Sequence, residues 1–379
     1  MAETTRPEEC NVATVFLAFE LGSSKWTLAF GRAAAQRPRI RTIRAGDLTA
    51  LASEIARACE RFGLTPGTAV RSCYEAGRDG FWLHRWLTSH GVSNVVVDSS
   101  SIEVNRRHRR AKTDRLDAGK LLTLLQRWAG GERGVWSVIH VPTPEAEAAR
   151  HLTRELATVR DDRTRLRNRI LALLATQGIP GPLPRRLPEY VATWQTGDGR
   201  PLPAALQARL QREWAHLQTV EARLAALRAE RATLIEAGTD RVAQVAQRLC
   251  GLRGVAAASA AFYSAELFGT RTFQNGRQLG ALTGLVPVPY RSDQRVADQG
   301  ISKAGRAELR RISIELAWCW LRWQPDSALA QWFHRRFGPA GGRSRRIGIV
   351  AVARKLVIAL WRFVDQGLLP AGARLKPVR

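Results

Sequence analysis

Lys112-Thr113-Asp114-Arg115-Leu116-Asp117-Ala118 is the stretch on which the fold turns. It reads as the start of a helix over Asp114–Arg127, and the i, i+3 spacing puts Asp114 and Asp117 on one helical face. Two more acidic residues end apolar runs. Glu20 closes Val12–Glu20 and Glu75 closes Ala69–Glu75, and each run reads as a buried strand. Carboxylates at two strand ends and on one helix face can converge on a pair of Mg²⁺ ions, which take oxygen ligands; Mn²⁺ satisfies the same chemistry.

Around these positions short strands alternate with helices. Strands are expected at Lys25–Arg32, Arg39–Arg44 and Asn94–Asp98, and helices at Leu48–Phe62 and Gly80–His90. Three strands, a helix, then alternating strand and helix is the order of a ribonuclease-H-like α/β sheet. Propensity alone does not separate that sheet from other α/β folds, and the acidic positions tip the choice. The domain is expected over residues 12–140, after a polar, disordered start at 1–11.

From Glu145 to Ala237 the pattern changes. Leu152, Leu156, Val159, Leu166, Ile170 and Leu173 follow a four-three spacing, with Arg163 at a polar seam position. After the Pro- and Gly-rich break Ile179–Leu202, Leu206, Leu210, Leu217, Val220, Leu224, Leu227 and Leu234 repeat the spacing, interrupted by Glu213 and Arg231. The segment 141–241 reads as an antiparallel coiled-coil hairpin, a dimer interface, or a plain helical-bundle core. Residues 242–379 read as a mainly α-helical domain. In it Leu249–Val255, followed by an Ala-rich helix to Leu267, resembles a helix-hairpin-helix turn that offers backbone amides to phosphate, or an ordinary Gly-containing turn. A polar loop is expected over Gly284–Lys303, and helices over Arg306–Trp323 and Arg346–Asp365.

The chain carries 59 Lys and Arg against 33 Asp and Glu, a formal net charge of +26, with pI near 11.4. That excess favours polyanions, and nucleic acid is the expected partner ahead of an anionic membrane. No apolar run reaches about 18 residues and no signal peptide opens the sequence, so a cytoplasmic location is expected. The five cysteines form no C-x-x-C pair and the seven histidines no H-x-x-x-H pair, which argues against structural zinc and a disulfide framework. Any metal is then held by oxygen. No G-x-x-x-x-G-K-[ST] loop is present, and no nucleotide cofactor is expected.

Taken together, several stretches resemble the IS one-ten family of insertion-sequence transposases, the bacterial bridge-RNA-guided recombinases. They are the strand ending in Glu20, Tyr74-Glu75-Ala76, Lys112–Ala118, Gly284-Leu285-Val286-Pro287, Arg291-Ser292-Asp293, Gly300-Ile301-Ser302-Lys303 and Ala353-Arg354-Lys355-Leu356. The likeness covers about residues 12–367. It implies a RuvC-like N-terminal domain with a D-E-D-D quartet of metal ligands and a C-terminal transposase domain with a nucleophilic serine. Glu75, Asp114 and Asp117 match the last three of the quartet. Glu20 stands where the first Asp is usual; it is longer by one methylene, roughly 1.5 Å of reach, and is still a hard oxygen ligand. Asp98, at the end of a strand, is a substitute if Glu20 points away. Ser292 matches the nucleophile, with Asp293 in place of the usual Gly. The rival serine, Ser302, reads as a helix N-cap.

The resemblance further implies a covalent phosphoserine–DNA intermediate and a structured noncoding RNA that pairs with donor and target DNA. It also implies a homo-oligomer, dimer or tetramer, whose subunits share composite sites. Expected phosphate contacts are Arg106, Arg107, Arg109, Arg110 and Lys112, then Lys303, Arg306, Arg310 and Arg311, and a third group, Arg343, Arg345, Arg346, Arg354 and Lys355. Trp318, Trp320, Trp323 and Trp332 read as core rather than base-stacking platforms. Two other functions fit parts of the pattern: a nuclease of branched DNA that uses water, and a non-catalytic nucleic-acid-binding protein. Neither accounts for the serine-bearing segment.

Overall fold

Successive apolar side chains of the first strand point to opposite faces, and that alternation sorts helices onto the two faces of a sheet. The computed structural model describes residues 14–32, 37–64, 68–103, 113–292, 295–303, 305–338 and 341–377. The expected start at 1–11 lies outside them. The chain divides into two compact units, Met1–Val141 and Pro142–Arg379.

In the first unit the elements run β1 (Thr14–Leu21), β2 (Lys25–Gly31), β3 (Arg39–Arg44), α1 (Leu48–Arg61), β4 (Ala69–Glu75), α2 (Trp82–Ser89), β5 (Val92–Val97) and α3 (Asp114–Ala129). The sheet order is β3-β2-β1-β4-β5. β1 pairs antiparallel with β2, and β2 with β3, whereas β1–β4 and β4–β5 are parallel. This mixed sheet is compatible with a ribonuclease-H-like fold. Val15, Leu17 and Phe19 of β1 face the core formed with Leu51 of α1 and Leu83 and Leu87 of α2. Ala18, Ala29 and Cys73 point the other way, and their small side chains let Ala118, Leu121, Leu122 and Leu125 of α3 lie close on the sheet.

The second unit is mostly helical: α4 (Pro144–Ala175), α5 (Leu187–Val191), α6 (Ala204–Ala237), α7 (Arg241–Cys250), α8 (Ala257–Tyr263), α9 (Gly276–Thr283), α10 (Ala307–Trp323), α11 (Ala328–Phe337) and α12 (Gly342–Gln366). Thr143 caps α4 by accepting from the Ala146 amide at 3.2 Å, and Pro144 suits the first helical turn, where its missing N–H is not needed. α4 and α6 lie antiparallel. Leu156 and Val159 meet Leu224 and Leu227 near the start of α4, and Ile170 and Leu174 share a cluster with Leu210 and Leu217 near its end. The polar interruptions of the leucine spacing pair across the two helices, Arg163 with Glu221 at 2.9 Å and Arg169 with Glu213 at 3.0 Å. Leu234, expected on the seam, is 47% exposed, and Leu174 rather than Leu173 is buried.

The segment expected as a polar loop over Gly284–Lys303 is instead a hairpin, β6 (Pro287–Ser292) and β7 (Arg295–Ile301). Pro287 and Pro289 are tolerated because a two-stranded ribbon leaves one side of each strand without a ladder to fill. α11 was not anticipated. The largest core of the unit joins α7, α8, α10 and α12 through Leu249, Tyr263, Trp320 and Leu360. Among the described residues no helix is long and apolar enough to cross a membrane.

Candidate active site and nucleic-acid interface

Glu20 and Glu75 are placed by register. Phe19 lies beside Tyr74 in the parallel β1–β4 ladder, so the next residues on each strand, Glu20 and Glu75, stand at the carboxyl ends of neighbouring strands. Phe19 and Tyr74 belong to the core under α1 and α2, whereas Ala18 and Cys73 belong to the core under α3. Side chains alternate along a strand, so Glu20 and Glu75 share the α3 face. Opposite Glu20, across the antiparallel ladder, is the buried Thr27 of β2.

α3 brings the other two carboxylates to the same face. Its N-cap, Thr113, accepts from the Leu116 amide at 3.3 Å. Asp114 lies one turn before the buried Ala118, and Asp117 one turn before the buried Leu121, so both occupy the stripe that continues onto the sheet. Asp114 Oδ2 is 3.8 Å from Nζ of Lys25, the first residue of β2. That contact is half-exposed at both ends and contributes little by itself. Acidic side chains in a first helical turn also complement the positive end of the helix dipole.

The four carboxylates therefore share one face and one edge of the sheet. Among the described residues no three His, Cys, Asp or Glu side chains are gathered closely enough to hold one metal ion. The fit to a hard divalent cation is one of donor chemistry and of face, since all four donors are carboxylate oxygens on the α3 side. Asp98 is differently employed. Its Oδ1 accepts from the Ser100 amide at 2.9 Å and from the Ser100 hydroxyl at 2.7 Å, capping a short helical turn.

Ser292 is the last residue of β6, opposite Arg295 of β7, and so stands at the hairpin tip; Asp293 lies outside the described residues. The two segments Gly284–Pro287 and Gly300–Lys303 prove to be the base of this one hairpin. The Ser302 amide donates to Val286 O at 2.8 Å and the Lys303 amide to Gly284 O at 3.2 Å. Ser302 does not cap the following helix. The residue in that position is Arg306, and Lys303, in the left-handed region at φ 54°, turns the chain before it.

The expected phosphate contacts separate into distinct environments. Arg106, Arg107, Arg109, Arg110 and Lys112 lie outside the described residues. Arg306 already has two carboxylate partners, Glu266, and Glu308 at 2.8 Å. Arg310 donates to Gly305 O at 3.1 Å, and Arg311 pairs with Glu315 at 2.8 Å. Lys303 is exposed. Lys355 is exposed and sits 4.8 Å from the Trp332 ring centroid, a cation–π contact. Of the four tryptophans, Trp320 is fully buried, while Trp318 and Trp323 are exposed.

In the α7–α8 turn the Arg253 and Val255 amides are already engaged within the protein. The Arg253 amide donates to Arg374 O at 3.1 Å, the Val255 amide to Leu252 O at 3.2 Å, and Gly251 O accepts from the Lys376 amide at 2.7 Å. The buried Gln324 closes the arrangement. Its Nε2 donates to Arg253 O and Arg374 O, and its Oε1 accepts from the Arg374 amide. Gly254, at φ +81°, backs onto α10, where an added Cβ would come 3.0 Å from Trp323 Cβ.

A feature with no sequence signal is the buried Glu266, on a π-helical turn (Ser264–Phe268). Arg154 reaches it at 3.1 Å, Arg150 at 3.8 Å, and Arg306 from the start of α10. Burial alone would raise the Glu266 pKa, but the hydrogen bonds from Arg306 and Arg154 outweigh it and hold the carboxyl below its ordinary value.

A sequence model described as the transposase IS116/IS110/IS902 family matches residues 246–331. A putative transposase, y4rJ, of Sinorhizobium fredii is 37% identical over 99% of this chain and 99% of its own length. A probable family 20 transposase of Pseudomonas aeruginosa is 29% identical over 61% of this chain and 68% of its own. The transposase for insertion sequence element IS1328 of Yersinia enterocolitica is 30% identical over 33% of this chain and 37% of its own.

Proposed function

On the premise that the chain belongs to the IS116/IS110/IS902 transposase family, whose members' function implies DNA transposition, we propose that it cuts and rejoins DNA with Ser292 as nucleophile and Glu20, Glu75, Asp114 and Asp117 as ligands of Mg²⁺. The observation that carries this reading is the alignment of those four carboxylates on the α3 face at the carboxyl edge of β1 and β4. Parallel strands gather ligand sites at that edge. Ser292 stands at the tip of the β6–β7 hairpin, and the family resemblance implies that such a serine acts with the carboxylates of a second subunit.

The chemistry balances without an energy source. Ser292 Oγ attacks a DNA phosphorus; the Oγ–P bond forms as the P–O3′ bond breaks, and the serine proton ends on the leaving oxygen as a 3′-hydroxyl. The 3′-hydroxyl of a partner strand then attacks the phosphoserine, restoring a phosphodiester and returning the proton to Ser292. One phosphoester replaces another in each step, so no ATP is consumed. Bound Mg²⁺ would polarise the phosphoryl oxygens and ease ionisation of an attacking hydroxyl, which is a poor nucleophile when neutral. Choice of target falls to a structured noncoding RNA, which the basic surface recognises by shape and phosphates.

The test combines full-length protein, Mg²⁺, RNA transcribed from flanking noncoding sequence and DNA carrying the element's ends. A protein–DNA adduct is expected, and is lost in Ser292→Ala and in Asp114→Ala. Free nicked DNA from the Ser292→Ala protein would show that water is the nucleophile and replace this reading by the nuclease.

A further inference from the structure

Between the base of the β6–β7 hairpin and α12 lies a cleft of about 660 Å³, a size typical of small-ligand sites, which run ~300–1,000 Å³. Leu285, Ile301 and Val350 form its apolar floor, and Ile347, 59% exposed, stands at its mouth. Three guanidinium groups, those of Arg343, Arg346 and Arg354, surround it. The helix interleaves the two chemistries. Arg343 and Ile347, Arg346 and Val350, and Val350 and Arg354 are each four residues apart, so cation and hydrocarbon share one face. Arg354 Nε is buried and has no hydrogen-bond partner among the described residues, a condition that costs stability until an acceptor reaches it.

We propose that this cleft takes a single unpaired nucleotide, with its base over Ile347 and Val350 and its phosphate against Arg343, Arg346 and Arg354. A fully paired duplex supplies phosphates but keeps its bases stacked inside, and would leave the apolar floor in water. An apolar peptide would cover the floor and leave the guanidinium groups unmatched. An extruded nucleotide matches both, and its unstacking is least costly where the strand is already bulged or single. The cleft lies at the hairpin base and Ser292 at the tip, ~17 Å away along an extended strand, so the bound nucleotide would lie several positions from the attacked phosphate. The proposal rests on the reading of the chain as a DNA-acting enzyme and adds a recognition element to it.

The experiment compares binding of the full-length protein to two duplexes of one sequence, one fully paired and one carrying a single bulged 2-aminopurine. The bulged duplex is expected to bind roughly tenfold tighter, with a rise in 2-aminopurine fluorescence as the base leaves the stack. Ile347→Asp is expected to erase the difference, read as the ratio of bulged to paired affinity within each protein. The side chain is exposed, so the fold should tolerate the change, and Ile347→Ala provides a milder check. Equal binding of both duplexes, or a preference that survives Ile347→Asp, would overturn the proposal alone. A surviving preference with a smaller oligomer in Ile347→Asp would assign the cleft to an apolar side chain of a second copy. Failure to bind either duplex, with or without the flanking RNA, would overturn the DNA-acting reading, and the cleft proposal with it.

Discussion

Arg154 donates from Nε to Oε1 of Glu266 at 3.1 Å, fastening α4 to the π-helical turn after α8. Removal of the Glu266 charge leaves the buried Arg150 guanidinium without its nearest carboxylate and deprives Arg306 of one of two. Glu266→Gln is expected to cost ~3–5 kcal/mol and to lower Tm by roughly 10 °C in a thermal melt. Because the folded Glu266 pKa is depressed, its contribution is fully present above the unfolded value of about 4.3 and is lost as pH falls through the folded value. The wild type should therefore lose stability on acidification more steeply than Glu266→Gln, and parallel acid limbs would count against the ion cluster.

Asp117 separates chemistry from folding. Its carboxylate is in the first turn of α3 and contributes nothing to the buried core. Asp117→Asn should leave Tm within about 1 kcal/mol equivalent of wild type. It should reduce strand cleavage by more than the ~10–100-fold typical of losing an outer-shell partner of a metal site. Cleavage rates measured across a Mg²⁺ titration test this, and a variant of full activity would remove Asp117 from the ligand set.

The two serines of the hairpin are distinguished by position. Ser302 is exposed at the base, and its amide donates to Val286 O. Ser302→Ala should form the protein–DNA adduct at a rate within about twofold of wild type, since surface substitutions away from special features change free energy by ±0.5 kcal/mol or less. Loss of the adduct in Ser302→Ala with retention in Ser292→Ala would reverse the assignment.

Gly305 joins the hairpin to α10 at φ +73°, and a Cβ there would collide with Leu282 O. Gly305→Ala combines left-handed strain of ~1–2 kcal/mol with that collision. The chain must shift at the joint, displacing the element that carries Ser292. Adduct formation should fall by at least about tenfold while the first unit's strands keep their hydrogen-exchange protection. Unchanged adduct formation would show that the hairpin position is not critical.

The first unit was legible because its signals are local. β1 and β4 are short apolar runs with acidic ends, α3 begins with Thr113 and two aspartates, and each boundary agrees within a few residues. The shared face of Glu20 and Glu75 follows from the same period-two pattern once the register is known. The second unit depended on contacts distant in sequence. Pro287, Pro289 and Gly300 read as loop punctuation, and only the pairing of one strand with the other makes them a hairpin. The α7–α8 turn had the glycines of an exposed phosphate binder, yet Arg374 and Lys376, more than a hundred positions later, occupy it. Glu266 gave no signal because its partners come from α4 and α10. The cleft beside α12 had a faint one, the four-residue alternation of Arg346, Val350 and Arg354.

The clasp formed by Gln324 with Arg253 and Arg374 has a consequence for synthesis on the ribosome. Residues 250–255 are made well before the backbone that covers them, which follows more than a hundred positions later, and the exit tunnel delays its arrival further. The interior of the helical half thus stays unfinished until that backbone emerges. A message cut shortly before codon 374 would yield a product whose buried Gln324 keeps its bond to Arg253 O but whose Oε1 has lost its donor, a polypeptide suited to degradation.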